Sequence, residues 1–129
     1  MTLLEQPLAP TPAGIAPTVA AAGFHPVCAI DRLTPDRGVA ALVEGTAVAL
    51  FHLSGGEIAA IDNVDPASGA SVLSRGIVGE VEGVPTVASP LYKQRFDLRS
   101  GRCLDDEARA VRAHEVRCEA GVVHVRLRR

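Results

Sequence analysis

The chain has 129 residues, 47% of them hydrophobic, which is enough for one folded domain with a modest core and too few for two comfortable ones. A formal net charge of −2, with both signs spread along the chain, gives no electrostatic footing for nucleic acid. With no Trp, one Tyr and three Phe there is also little on which bases stack.

Residues 1–22 are rich in Pro, Ala and Thr and contain no Lys or Arg. Pro7, Pro10, Pro12 and Pro17 interrupt every apolar run, so neither a signal peptide nor a membrane span is expected. The segment reads as a flexible N-terminal arm, or as a strap that orders against a neighbouring subunit, and the domain proper occupies 23–129. The apolar content beyond it is mostly Ala, Val and Leu, and 12 Gly with 9 Pro suit many short turns, which favours an all-β protein. Cys28, Cys103 and Cys118 are odd in number and far apart, the pattern of reduced thiols in a cytoplasmic protein. Cys28 and Cys118 fall in apolar strand patterns and read as small core residues, whereas Cys103 follows a turn and reads as more exposed.

A first strand is expected over 25–30, followed by a Pro- and Gly-containing loop over 31–38. Three apolar runs, 39–43, 46–53 and 57–62, form a meander whose turns are Glu44-Gly45 and Ser54-Gly55-Gly56. The segment 47–51 is apolar at every position, so both its faces are expected to be covered. Asp65-Pro66 and Ser68-Gly69 mark a loop over 63–76, in which Asp65 reads as a turn-former. A short strand and turn over 76–85 lead into a hairpin over 87–101. Ser89-Pro90 ends its first arm, and Phe96 and Leu98 alternate with Asp97 and Arg99 along its second. Asp105-Asp106-Glu107 reads as a solvated acidic turn, on which the paired carboxylates of Asp105 and Asp106 are expected to titrate as ordinary acids. The closing hairpin, 111–118 and 122–127 around Ala120-Gly121, has a register that gathers Val116, Cys118, Val123, Val125 and Leu127 on one face. That register turns His114 inward and His124 outward, so these histidines do not pair as metal ligands.

No phosphate loop, nucleophile elbow or His-Glu-x-x-His helix is present, and Ser89 has no histidine in sequence context to activate it. The two loops carry the signal instead. One reads Asp62-Asn63-Val64-Asp65-Pro66-Ala67-Ser68-Gly69-Ala70, the other Ser89-Pro90-Leu91-Tyr92-Lys93-Gln94-Arg95-Phe96-Asp97-Leu98. Both resemble the loops that hold a [2Fe-2S] cluster in Rieske-type domains. The four ligand positions read Asp65, Ala67, Ser89 and Tyr92, where such a centre takes two thiolates and two imidazoles. The resemblance implies an all-β, Rieske-like antiparallel β-sandwich or small barrel with a hairpin subdomain carrying the two loops. An SH3-like or OB-like barrel is the alternative that strand spacing leaves open.

The second loop, with Asp62-Asn63, Leu73-Ser74-Arg75-Gly76 and Gly101-Arg102-Cys103-Leu104, further resembles the small subunit of cytoplasmic NAD(P)H-dependent nitrite reductase over 25–127. That resemblance implies a chain with no catalytic residue, metal or cofactor of its own. Its partner would be a large subunit carrying FAD, an iron–sulfur cluster and sirohaem, which reduces nitrite to ammonium in nitrate assimilation. Tyr92, Lys93, Gln94 and Arg95, facing Asp65 and Ser68, are then the candidate contact surface, or else they fill the space a cluster takes, with the Tyr92 hydroxyl on Asp65 or on backbone. Two other readings are an electron-transfer protein holding a cluster on substitute ligands, and a cluster-free β-sandwich interaction module unrelated to nitrite.

Overall fold

The computed structural model describes residues 23–128, so the expected N-terminal arm lies outside the described residues. Nine strands form among the described residues: β1 His25–Ala29, β2 Gly38–Val43, β3 Thr46–His52, β4 Ile58–Asp62, β5 Ile77–Val81, β6 Val84–Ala88, β7 Arg95–Asp97, β8 Ala113–Glu119 and β9 Val122–Arg126. Six of them make one antiparallel sheet in the order β1-β9-β8-β4-β3-β2. Its edge strands approach each other, so that the sheet is a nearly closed barrel. His25 Nε2 on β1 lies 3.2 Å from Glu44 Oε2 beyond the end of β2. The other three strands form a separate sheet, β5-β6-β7, between β4 and β8 in the chain. Among the described residues the only helical pieces are single 310 turns at Ile30–Arg32, Leu73–Arg75 and Glu107–Arg109. The expected all-β architecture with a hairpin subdomain is what forms, and the separate second sheet distinguishes it from an SH3-like or OB-like barrel.

Local chemistry sets the registers. Glu44-Gly45, Glu82-Gly83 and Ala120-Gly121 each join two antiparallel strands, and both residues of each pair have positive φ. That is the two-residue turn whose twist matches the strands it connects. Strand β3 is covered on both faces, as its uninterrupted apolar run predicts. Val48 and Leu50 pack with Leu33, Val43, Ala60, Val123, Val125 and Leu127 inside the barrel. Ala49 and Phe51 pack outward with Ile61, Leu73, Val87, Phe96, Leu98 and Cys103 beneath the subdomain. The β3–β4 pair is therefore the wall shared by two cores, and it fixes the subdomain to the barrel.

Two cysteine expectations are reversed. Cys103 is buried, because its backbone bridges to Phe96 and its thiol enters the outer core. Cys118 is exposed although its register, opposite Val123, is the expected one. Strand β4 pairs with β8 only at Ala113 and His114, so beyond that point β8 has no neighbour on one side. All three thiols are free.

His114 points inward, as expected, and belongs to a network that ties three segments together. Asp62 Oδ2 accepts from Arg112 N at 3.1 Å and from Arg112 Nε at 3.0 Å, and Asp62 Oδ1 lies 2.9 Å from His114 Nε2. Arg128 N donates to His114 Nδ1 at 3.0 Å, which leaves the ring proton on Nε2 to be donated to Asp62. Burial pushes the Asp62 carboxyl up, but the hydrogen bonds from Arg112 and His114 outweigh it and hold the group below the ordinary aspartate value of 3.8.

Two outcomes follow for stability. Because the folded value is depressed, the contribution of Asp62 is complete above the unfolded value and is lost as pH falls through the folded one. Asp62→Asn should therefore be about 1–3 kcal/mol less stable than the parent in urea titrations at pH 7. The gap should close below pH 3.8; a gap that does not change with pH would contradict this account. Ala120, at φ 52°, sits where Asn is favoured, and Ala120→Asn should raise the urea midpoint, corresponding to a gain of about 0.5–1 kcal/mol in stability.

Candidate functional site

Strand β4 runs into the first loop and β6 into the second. Asn63, almost wholly buried, shapes the first. Its Nδ2 donates to Ser71 Oγ at 2.7 Å, its Oδ1 accepts from Ser74 N at 2.7 Å, and its carbonyl accepts from Val72 N and Leu73 N, both at 3.0 Å. Asn63 thus closes a loop whose ladder contact is a single isolated bridge between Val64 and Ser71. Gly76 then lets the chain pass the base of the second loop, where a Cβ would stand 2.3 Å from the Ala88 carbonyl oxygen.

The tips of the two loops are built alike. In the first, Asp65 N donates to Ala70 O at 2.8 Å, Gly69 N to Asp65 O at 2.7 Å, and Ala67 N to Asp65 Oδ1 at 2.8 Å. In the second, Ser89 N donates to Gln94 O at 2.9 Å, Lys93 N to Ser89 O at 2.9 Å, and Leu91 N to Ser89 Oγ at 3.3 Å. Pro is second in each six-residue unit, and the fifth residue, Gly69 or Lys93, has positive φ. Asp65 and Ser89 are therefore equivalent positions, and their side chains meet. Ser89 Oγ donates to Asp65 Oδ2 at 2.6 Å, and Gln94 Nε2 donates to Asp65 Oδ1 at 2.9 Å. Asp65 is 0% exposed and Ser89 1%. A carboxyl so placed is tolerable because three donors, Ser89 Oγ, Gln94 Nε2 and Ala67 N, are aimed at it.

This arrangement does not fit a [2Fe-2S] centre. Such a centre needs two thiolates and two imidazoles; Asp65 and Ser89 are turned onto each other, Ala67 has no lone pair, and Tyr92 is 65% exposed. Among the described residues no three His, Cys, Asp or Glu side chains converge as metal ligands. The reading of Asp, Ser and Tyr as substitute ligands finds no support in this donor set. No electron-transfer step is assigned to these loops.

The residues expected at a contact surface separate by depth. Tyr92, Lys93, Arg95 and Ser68 are exposed, Gln94 is half-buried, and Asp65 lies wholly beneath the tip. Of the two partners expected for the Tyr92 hydroxyl, Asp65 or backbone, Asp65 is taken by the Ser89 hydroxyl. The acidic turn also proves more engaged than its composition implies. Arg95 grips Asp105 with Nε at 3.2 Å to Oδ2 and Nη2 at 2.8 Å to Oδ1, and Arg95 N donates to Oδ2 at 2.7 Å. These bonds hold the Asp105 carboxyl below the usual carboxylate range, so it does not titrate as an ordinary acid. Asp106 caps the 310 turn through Ala108 N at 3.0 Å, and Arg109 Nη1 reaches Pro66 O at 3.4 Å. Ala67, Tyr92, Gln94, Asp105, Asp106 and Arg109 line a cleft of about 350 Å³ beside the tip. Sequence reasoning missed Asn63 and Gln94 as organisers and the 105–109 segment as a wall. Only the side-chain amides hinted at the first two.

The Asp65–Ser89 bond is measurable. Ser89→Ala should destabilise the fold by about 1–3 kcal/mol, and Asp65→Ala by at least as much, since it strands Ser89 and Gln94 donors. Across the double-mutant cycle the coupling should be about 1–3 kcal/mol in denaturant titrations; additive effects would show that the two loops are not held by this contact.

Comparison with known proteins agrees with this architecture. The family described as the Rieske-like [2Fe-2S] domain matches residues 23–126. The chain is 46% identical over 101 residues to the nitrite reductase (NADH) small subunit of Salmonella typhimurium, covering 78% of this chain and 94% of that one. The solution structure of the NAD(P)H nitrite reductase small subunit from Erwinia carotovora superposes with a TM-score of 0.71 at 41% identity, covering 83% of each chain. A third relative, the NAD(P)H nitrite reductase large subunit of Klebsiella oxytoca, is 42% identical over 125 residues, which is 96% of this chain and 13% of that longer protein. With a Rieske-like frame in which two of the four ligand positions, Asp65 and Ser89, are bonded to each other, and with relatives of this identity and coverage, the chain belongs to the nitrite reductase small-subunit family.

Proposed function

We propose that this chain is the non-catalytic small subunit of a cytoplasmic NAD(P)H-dependent nitrite reductase. Its role is to bind and position a large subunit that carries flavin, an iron–sulfur cluster and sirohaem and reduces nitrite to ammonium. The observation that carries this reading is the Ser89–Asp65 hydrogen bond at 2.6 Å. It places two polar side chains, bonded to one another, where members of the wider fold family have cluster ligands. What the tip then offers is a surface: Tyr92 and Leu91 as exposed apolar anchors, with Lys93 and Arg95 beside them. Aromatic and basic side chains of this kind are the usual anchors of protein interfaces. The Klebsiella oxytoca large subunit contains a segment similar to 96% of this chain, which supports a small domain working beside the rest of a large subunit. Three free cysteines agree with a reducing compartment.

Co-purification tests the proposal. The full chain should bind the large subunit, and Tyr92→Ala combined with Lys93→Glu should weaken that binding about tenfold or more while leaving the thermal melt of the isolated chain unchanged. Iron and acid-labile sulfide in the isolated, anaerobically prepared chain should be far below one cluster per chain. Stoichiometric iron with an EPR signal on reduction would overturn the reading, and undiminished binding of the double variant would remove the tip from it.

A further inference from the structure

We infer that the surface holding the large subunit is the whole loop-bearing end of the molecule, flanked by Leu42 on β2 and Ile77 on β5. This rests on the reading of the chain as a small subunit and extends its contact surface beyond the tip. Among the described residues five large hydrophobic side chains are exposed: Leu42 at 74%, Val64 at 40%, Ile77 at 76%, Leu91 at 49% and Tyr92 at 65%. Val64, Leu91 and Tyr92 belong to the two loops. Strand register brings the other two to the same end. Leu42 pairs with Ala47, and the Ala47 carbonyl accepts from Asn63 N, the residue before Val64. Ile77 pairs with Ala88, the residue before Ser89, and Ala88 pairs in turn with Arg95 as the chain leaves the second loop. One exposed aliphatic side chain therefore stands beside the root of each loop.

The far end differs. The turns at Ser54–Gly56 and Ala120-Gly121 carry no exposed large hydrophobic residue, and Arg99 pairs with Glu57 there at 2.9 Å. Around the loop end the pairs Arg95–Asp105, Arg109–Asp106 and His25–Glu44 supply a polar border. An apolar centre within a polar rim is the anatomy of a protein interface.

Size selects between the tip alone and the whole end. A stable association buries about 800 Å² and about 20–30 residues on each partner, which a six-residue loop cannot supply. The occupant is the large subunit, since the surface is continuous with the tip proposed to meet it. In Klebsiella oxytoca a segment similar to nearly all of this chain shares one polypeptide with a large subunit, so the two are held at high effective concentration.

The experiment measures affinity of the full-length chain for the large subunit by biolayer interferometry. Leu42→Glu and Ile77→Glu should each weaken binding about tenfold, and together about a hundredfold. Ala29→Glu, exposed at the far end, should remain within about twofold of the parent. Leu42→Ser and Ile77→Thr repeat the test without adding charge, and should weaken binding in the same order. Parent-like affinity of the Leu42 and Ile77 variants overturns the extended surface. If Tyr92→Ala with Lys93→Glu weakens binding in that assay, the tip contact stands alone; if it does not, both readings fall. Sedimentation of the isolated chain provides the remaining outcome. A dimer dissolved by Leu42→Glu, with large-subunit binding intact, would assign this end to a second copy of the chain.

Discussion

The contact between Asp65 and Ser89 is the constraint on which the rest of this structure turns. Both residues are withdrawn from solvent, and a carboxyl in that position has lost its hydration. It is compensated by three donors from two loops: Ser89 Oγ, Gln94 Nε2 and Ala67 N. The bond joins segments 24 residues apart in the chain, so it acts as a tertiary link where no strand ladder connects the loops. The equivalence of the two six-residue units explains why these side chains meet. Each unit presents its first side chain inward from the same backbone frame, and the frames face one another.

Neighbouring residues extend this link into the body of the protein in two directions. Asp62 accepts from Arg112 and His114 and so fastens the end of β4 to β8 and to the C-terminal segment. Asn63, the next residue, fastens the first loop through Ser71, Ser74 and the backbone at Val72 and Leu73. Leu73, carried on that loop, is packed into the outer core with Phe51 and Phe96. The tip is thus held by polar contacts on its inner side and by apolar packing at its base. A loop so restrained presents its outward side chains in a fixed arrangement.

Chemistry and exposure divide cleanly across this end of the molecule. The inward positions, Asp65 and Ser89, are saturated with hydrogen bonds, whereas the outward ones, Leu91, Tyr92 and Val64, are apolar and open. In a chain with one tyrosine, placing it at a loop tip departs from the usual use of scarce aromatics in the core, where Phe51 and Phe96 are found. A scaffold of the Rieske-like kind therefore carries exposed apolar side chains over a hydrogen-bonded loop interior.

Much of this was legible in the residues alone. Apolar alternation and two-residue Gly turns fix strand order along the chain and the closing register of Val123, Val125 and Leu127, because these depend on contacts between neighbours in sequence. The continuous apolar run at 47–51 announced a strand buried on both faces for the same reason. The loop motifs carried the family resemblance and the positions Asp65, Ala67, Ser89 and Tyr92. What remained hidden depends on groups distant in the chain: that Ser89 rather than Tyr92 bonds Asp65, that Arg95 claims Asp105, that Cys103 is buried and Cys118 exposed. Burial and hydrogen-bond partnership at those sites are decided by which strands end early and which loops face each other. A pattern of residues along one chain does not encode that; only the packing of two sheets against a shared wall does.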